Sequence, residues 1–282
     1  MTIEEAYKSA RKAFSHLENG ELEARWLVTE TAGLNEISLW SEPQLKIPQE
    51  ITARITERVE RRKNGEPMAY VLGFKDFFRS RFFISSSVLI PRPETELIVT
   101  EILKKALNAP NEPYEICDIG TGSGCIGLSL LKELYQARLT AIDISPTAIE
   151  IAKKNAVQLN LDNRATFINE SARPSVFEGR QFDFVVSNPP YIAPHDKEVA
   201  VDVHTYEPHS ALYADANGLR FIEEWLGYAA QSLKSGGVFA FEIGRGQAEE
   251  VKKIVERLKV FSHIEMKKDL QGIERVIVGE RK

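Results

Sequence analysis

Asn188-Pro189-Pro190-Tyr191 follows directly on the apolar run Phe182-Asp183-Phe184-Val185-Val186, with Ser187 between them. Such an arrangement is suited to holding a planar NH2 group still while it reacts through its nitrogen. The side-chain carbonyl of Asn188 and the backbone carbonyl of Pro189 can each accept one N–H. Neither Pro189 nor Pro190 has an N–H of its own to compete, and both hold φ at about −65°, so the turn is stiff. Tyr191 offers a flat face on which a substrate can lie. An Asn-Pro-Pro turn alone reads as a rigid strand-to-loop junction. The tyrosine after it and a glycine loop upstream favour the functional reading.

That loop lies about seventy residues earlier, where Tyr114-Glu115-Ile116-Cys117-Asp118-Ile119 runs into Gly120-Thr121-Gly122-Ser123-Gly124-Cys125-Ile126-Gly127. A strand feeding a glycine turn that opens a helix, here Cys125 to about Tyr135, is the first βα unit of a nucleotide-type fold. Glycine serves where a backbone passes through positive φ or approaches a ligand closely. The next strand, Leu139 to Ile142, ends in Asp143, whose carboxylate can accept both hydroxyls of a ribose. Gly122 to Gly127 also satisfies the dinucleotide spacing, so NAD has to be weighed. Asp118, two residues before the glycine run, can take the ammonium of a methionine moiety, and the denser Gly-Thr-Gly-Ser-Gly form suits a nucleoside joined to an amino acid. A hydride-transfer enzyme has no use for Asn-Pro-Pro-Tyr. S-adenosyl-L-methionine is therefore the expected cofactor.

The 282 residues, 43% hydrophobic, suffice for one medium α/β domain plus a smaller one. No apolar run approaches the length of a membrane span, and Glu4 and Glu5 are unlike a signal peptide. The two cysteines, Cys117 and Cys125, form no C-x-x-C pair, so a cytoplasmic protein with neither disulfide nor zinc site is the simplest account. Both are expected to pack, Cys117 in the first strand and Cys125 at the helix start. A net charge of −5 argues against a strong non-specific grip on phosphate backbones.

Residues 1–73 read as helical. Thr2 with Glu5 resembles a capping box and opens a helix to about Leu17; Glu21 to Thr31 and a segment from Pro48 to Lys63 follow. The latter ends in Arg58, Arg61, Arg62 and Lys63, either a dipole-complementing helix end or a docking patch. Phe74 to Phe78 and Arg81 to Ile84 form a hairpin, and residues 74–92 connect the helical domain to a catalytic domain spanning 93–282. Two prolines flank Arg92, which either touches cofactor or anchors the hairpin. Asn108 to Pro113 is a turn-rich connector. Strand–helix alternation continues through Ser145–Leu159, Ala165–Ile168, Phe182–Ser187, Leu219–Lys234 and Val238–Ile243. A helix to Leu258 comes next, then two closing strands, His263–Lys267 and Glu274–Val278, which must pair antiparallel. The spacings of His195, His204 and His209 with Asp196, Asp202 and Glu207 match no familiar zinc pattern, so no metal is expected. A mobile lid is the expected role for that long connection.

The whole chain resembles the bacterial protein-(glutamine-N5) methyltransferases of peptide chain release factors, the PrmC/HemK family. The carrying stretches are Glu66-Pro67-Met68-Ala69-Tyr70 with Gly73, Ile90-Pro91-Arg92-Pro93-Glu94-Thr95-Glu96, Asp118 to Gly124, Asp143, Ser187 to Tyr191, and Glu207-Pro208 with Ala211-Leu212. The resemblance implies an α/β class I S-adenosylmethionine-dependent methyltransferase fold, its seven-stranded, mostly parallel sheet preceded by a small all-helical domain joined through a β-hairpin. It implies transfer of a methyl group to the glutamine amide in the Gly-Gly-Gln motif of class I release factors, in support of translation termination, with the helical domain docking that protein. Asn188, Pro189, Pro190 and Tyr191 would be catalytic. Asp118, Gly120, Thr121, Gly122, Ser123, Gly124, Asp143, Glu170, Ser171 and Asn188 would bind the cofactor. Such proteins often place an Asp and an aromatic after the third strand; here Glu170 can accept from the adenine N6, but Ser171 cannot stack. Adenine-N6 and guanine-N2 methyltransferases of nucleic acid share the amine-holding motif. They call for a basic cleft, whereas the first 75 residues carry 11 basic and 12 acidic side chains. A non-catalytic scaffold would have no need of an intact glycine loop, Asp143 and Asn188.

Overall fold

The computed structural model describes residues 1–108, 113–196 and 198–282; the connector expected at 108–113 lies outside them at 109–112. The chain divides into two compact units, one of Met1–Phe74 with Ala200–Tyr206, the other of Lys75–Val199 with Glu207–Lys282.

In the first unit, α1 (Ile3–Ala13), α2 (Gly20–Ala32), α3 (Ser38–Ser41), α4 (Gln49–Lys63) and α5 (Met68–Leu72) enclose a core that includes Phe14, Leu27 and Val28. Thr2 Oγ1 accepts from Glu5 N at 3.2 Å while Thr2 N donates to Glu5 Oε2 at 2.8 Å, a complete capping box. Helix α1 stops at Ala13, short of the expected Leu17, because the chain folds back on the fully buried Phe14. A Cβ on Gly20 would stand 2.0 Å from the Phe14 carbonyl oxygen, so the return requires glycine. The arginines closing α4 are engaged within the unit. Arg58 donates to Thr31 Oγ1 and the Leu72 carbonyl, Arg61 grips Glu66 with two N–H groups, and Arg62 grips Glu23 likewise. These guanidinium groups are thus paired inside the unit rather than solvated, a third arrangement beside the dipole-complementing end and the docking patch that the sequence left open.

The hairpin of β1 (Phe74–Phe77) and β2 (Ser80–Phe83) begins at the last residue of the first unit's N-terminal stretch and otherwise belongs to the second, the turn between the strands placing Phe78 at φ +52. A 3-10 turn at Pro93–Thr95 enters α6 (Glu96–Asn108). Then come β3 (Glu115–Ile119), α7 (Cys125–Glu133), β4 (Arg138–Asp143), α8 (Pro146–Gln158), β5 (Ala165–Asn169), α9 (Pro174–Phe177) and β6 (Phe182–Ser187). The remainder is α10 (Val201–Tyr206), which clusters with the helical unit, α11 (His209–Leu212), α12 (Arg220–Ser232), β7 (Leu233–Glu242), α13 (Ala248–Leu258), β8 (Phe261–Lys268) and β9 (Glu274–Arg281).

Seven strands form one sheet in the order β5-β4-β3-β6-β7-β9-β8, parallel from β5 to β7 and antiparallel at β9 and β8. Its inner strands read as continuous apolar runs because helices cover both faces. One core joins the hairpin residues Phe77 and Phe82 to α6, α7 and the sheet; the other joins α9, α12 and α13 to the opposite face. Ser235-Gly236-Gly237, which lie between the expected helix ending at Lys234 and the expected strand from Val238, are part of an extended β7, with Gly236 at φ +77 and the register to β6 shifting between Phe182 and Phe184. Winding reverses between β3 and β6, the place where an open parallel sheet leaves a crevice at its carboxyl edge.

Candidate active site

The carboxyl ends of four adjacent strands deliver the site. β3 leads to Gly120, β4 ends in Asp143, β5 leads to Glu170, and β6 leads to Asn188. A cavity of about 330 Å³ opens there, within the usual range of small-molecule sites. Gly120, Thr121, Gly122, Ser123, Asp143, Glu170, Ser171, Asn188 and Pro190 line it. Gly124, Asp118, Pro189 and Tyr191 do not line it.

The glycine turn is held from three sides. Gly120 N and Thr121 N both donate to the Ile142 carbonyl, at 2.8 and 3.0 Å. Gly122 N donates to Asp143 Oδ2 at 2.9 Å, and Asn155, wholly buried, donates to the Ser123 carbonyl at 2.8 Å while also bridging Phe83. Gly120 sits at φ +70, where a Cβ would stand 2.8 Å from Trp225 Cη2. Gly122, at φ +54, has nothing within 4 Å of that position, so its backbone is open to the cavity it lines.

The two acids near this turn play different parts. Asp143 lines the cavity; Oδ1 accepts from Ser145 N and Oδ2 from Gly122 N, both at 2.9 Å, leaving further lone pairs for a diol. Burial raises its carboxyl above the ordinary value, against those two bonds. Asp118, the residue expected at the ammonium of the cofactor, stands elsewhere. Its side chain is wholly buried under the loop, where Oδ2 accepts from Thr121 Oγ1 at 2.7 Å and from Gly127 N at 3.1 Å. Oδ1 has no hydrogen-bond partner among the described residues, and burial lifts the carboxyl to about 6. Strand alternation explains the placement: a residue inside β3, one before its end, points into the packing rather than over the edge.

At the other lip, Asn188 Nδ2 donates to Thr95 Oγ1 at 3.2 Å, and Thr95 in turn donates to Glu242 Oε2 at 2.6 Å. The other oxygen of Glu242 accepts from the Tyr191 hydroxyl at 2.9 Å. Tyr191 therefore does not present a flat face to the cavity; its ring packs toward the core and its phenol is tied down. Burial and the nearby Glu242 carboxylate raise that phenol well above its ordinary value, so it remains a donor. Gln247 Nε2 holds the Tyr191 carbonyl at 3.0 Å from behind. Thr95 and Glu242 are the residues that reading the sequence missed. Thr95 stands inside the Pro-Arg-Pro-Glu-Thr-Glu stretch, and a lone Glu ending the apolar run Val238–Phe241 is the signal that could have found Glu242.

Arg92 anchors rather than reaching the cofactor side: it pairs with Glu207, whose other oxygen accepts from Ile90 N at 3.1 Å. Glu170 pairs with Arg173 at 2.5 Å at the cavity rim. Cys117 and Cys125 are buried as expected, and burial pushes the Cys125 thiol up to about 12. No cluster of His, Cys, Asp or Glu among the described residues could hold a metal. The connection expected to be a lid contains α10 and α11. It is tethered by Ile192, whose N–H donates to the Leu212 carbonyl and whose carbonyl accepts from Ala214 N. No helix among the described residues is long and apolar enough to cross a membrane.

The donor set fits S-adenosylmethionine. A carboxylate stands at the second strand tip for the ribose, and an open glycine backbone lies beside it. Ile144, Ala172 and Phe221 supply apolar wall for an adenine ring. This cradle, set at the switch point of a doubly wound sheet with an antiparallel end, defines a class I S-adenosylmethionine-dependent methyltransferase. Residues 95–207 match the Methyltransferase small domain and residues 5–73 the PrmC N-terminal domain. Over its whole length the chain is 36% identical to the release factor glutamine methyltransferase of Koribacter versatilis, covering 99% of that protein. It is 36% identical to the Geobacter sulfurreducens release factor glutamine methyltransferase over 93% of this chain and 90% of that one. A solved T. Thermophilus 16S rRNA methyltransferase in complex with AdoMet and guanosine shares the fold, with a TM-score of 0.54 and 17% identity over 74% of this chain and 50% of that one. The chain belongs to the release factor glutamine methyltransferase family.

Proposed function

We propose that this enzyme methylates the side-chain amide nitrogen of the glutamine in the Gly-Gly-Gln motif of class I peptide chain release factors, in the cytoplasm and in support of translation termination. The observation that carries the reading is Asn188. Its Nδ2 is committed to Thr95, which leaves Oδ1 as an acceptor at the cavity it lines.

A glutamine amide nitrogen is a poor nucleophile because its lone pair is delocalised into the carbonyl. Asn188 Oδ1 receives one of its N–H groups at the cavity, and the carbonyl of Pro189, which stands beside the lining rather than in it, is the acceptor for the other, turning the lone pair toward the methyl donor. S-adenosylmethionine, when bound, supplies an electrophilic methyl on a sulfonium. Orientation of this kind can contribute several kcal/mol, up to ~7–11 in ideal cases. The same acceptors favour the positive charge that grows on nitrogen during attack. The proton then leaves to water. Asp143 holds the ribose, and the stiff double proline keeps the acceptors in place.

In this reading residues 1–73 dock the protein substrate, 74–92 connect, and 93–282 carry out the chemistry. The net charge of −5 supports a protein substrate and no stable nucleic-acid binding. The test is a methyl-transfer assay offering release factor and duplex DNA in parallel. Methyl on release factor alone is expected; methylated DNA with untouched protein would overturn the assignment.

A further inference from the structure

We infer that Glu242 and Thr95 are positioning residues that set which way the Asn188 side-chain amide faces, making it an acceptor rather than a donor toward the substrate. An Asn amide fits its socket in two orientations of nearly equal shape, with O and N exchanged. Packing alone cannot choose between them, and only one serves an incoming N–H. The other would set Nδ2–H against a substrate N–H, donor facing donor.

The choice is made by a one-way chain of hydrogen bonds. Glu242 is 1% exposed; burial raises its carboxyl, while the Thr95 and Tyr191 hydroxyls and the charge of Arg275 favour the carboxylate, which only accepts. Thr95, 2% exposed, lies 2.6 Å from Glu242 Oε2 and has a single hydroxyl proton, which it must give there. Its oxygen is then available toward Asn188 only as an acceptor, so the group facing it at 3.2 Å is Nδ2. Oδ1 is left on the far side. Tyr191 completes the arrangement by donating to the other oxygen of Glu242 at 2.9 Å, which keeps that carboxylate from turning. Polarised chains of this kind hold direction as well as position. The inference rests on the proposed function in one respect, that the group received by Oδ1 is a substrate N–H.

Two measurements test it. Neutron diffraction from deuterated crystals shows the amide directly: two deuterons on the Asn188 atom nearest Thr95, and the Thr95 deuteron aimed at Glu242, are expected. The opposite amide orientation would overturn the inference whether or not the enzyme methylates release factor. In kinetics, Thr95→Val keeps the shape and loses the hydroxyl. Its kcat on release factor should fall about 10–100-fold, the worth of one to two transition-state hydrogen bonds, with S-adenosylmethionine affinity held within about twofold. Thr95→Ser should recover most of kcat, and Glu242→Gln, which introduces a donor into the chain, should behave like Thr95→Val. A Thr95→Val enzyme with wild-type kcat, or one whose loss is matched by lost cofactor affinity, would contradict the inference. A wild-type enzyme inactive on release factor would instead refute the proposed function, leaving the amide orientation to diffraction.

Discussion

Arg92 and Glu207, 115 positions apart, meet as an ion pair in which the carboxylate side chain is 1% exposed and the guanidinium 32%. Glu207 also accepts from Ile90 N, so one carboxylate ties the approach to α6 to the segment entering α11. Removing one partner of such a pair strands the other. Arg92→Ala should therefore lower stability by about 2–4 kcal/mol in urea unfolding, toward the low side of buried pairs because Arg92 is part-exposed. The double variant Arg92→Met with Glu207→Gln should recover more than half of that. A single variant indistinguishable from wild type would mean the pair is incidental.

Asp118 makes stability depend on pH in a direction unusual for a carboxylate. Its folded value, about 6, lies above the ordinary 3.8. The folded state therefore takes up the proton first, and the penalty of the buried charge is absent well below pH 3.8 and complete only about one unit above the folded value. The full gap corresponds to ~3 kcal/mol, of which a little under half falls between about pH 5 and pH 7.5. Asp118→Asn keeps an oxygen for Thr121 and Gly127 and carries no charge. Its stability relative to wild type should rise by about 1–1.5 kcal/mol across that window. A pH-independent difference would place the titration elsewhere.

Asp143 is the residue proposed to hold the cofactor's ribose. Asp143→Ala should weaken S-adenosylmethionine binding by roughly 1.5–3 kcal/mol, the worth of hydrogen bonds to a charged group. Calorimetry measures this, and unchanged affinity would remove Asp143 from the site. Because the variant also frees Gly122 N and Ser145 N, its thermal midpoint should be recorded alongside.

The fold is legible in local patterns: apolar runs for β3, β4 and β6, the capping box at Thr2, and glycine turns after strands. These signals involve neighbours in sequence, and their physics is local. What escapes such reading is decided by distant partners. Thr95 and Glu242 lie 147 positions apart and only the folded sheet joins them. The place of Tyr191 after the double proline suggests a face toward the substrate, but Glu242 takes its hydroxyl. The nearness of Asp118 to the glycines suggests the cofactor, yet its position inside β3 puts it beneath them. Two roles are open to Arg92 in the sequence, and Glu207 beside it selects the anchor. Helices α10 and α11 are too short for periodicity to reveal.

Everything proposed for the chemistry depends on Asn188 presenting an acceptor that holds a glutamine amide for methylation. Wild type and Asn188→Ala should be compared under single turnover, with release factor as substrate, mass-spectrometric mapping of the product, and cofactor affinity determined in parallel. Wild type should place the methyl on the Gly-Gly-Gln glutamine, and the variant should react at least about 100-fold more slowly with S-adenosylmethionine affinity little changed. Comparable rates in the two enzymes, or methyl on a different residue, would show that Asn188 does not play this part.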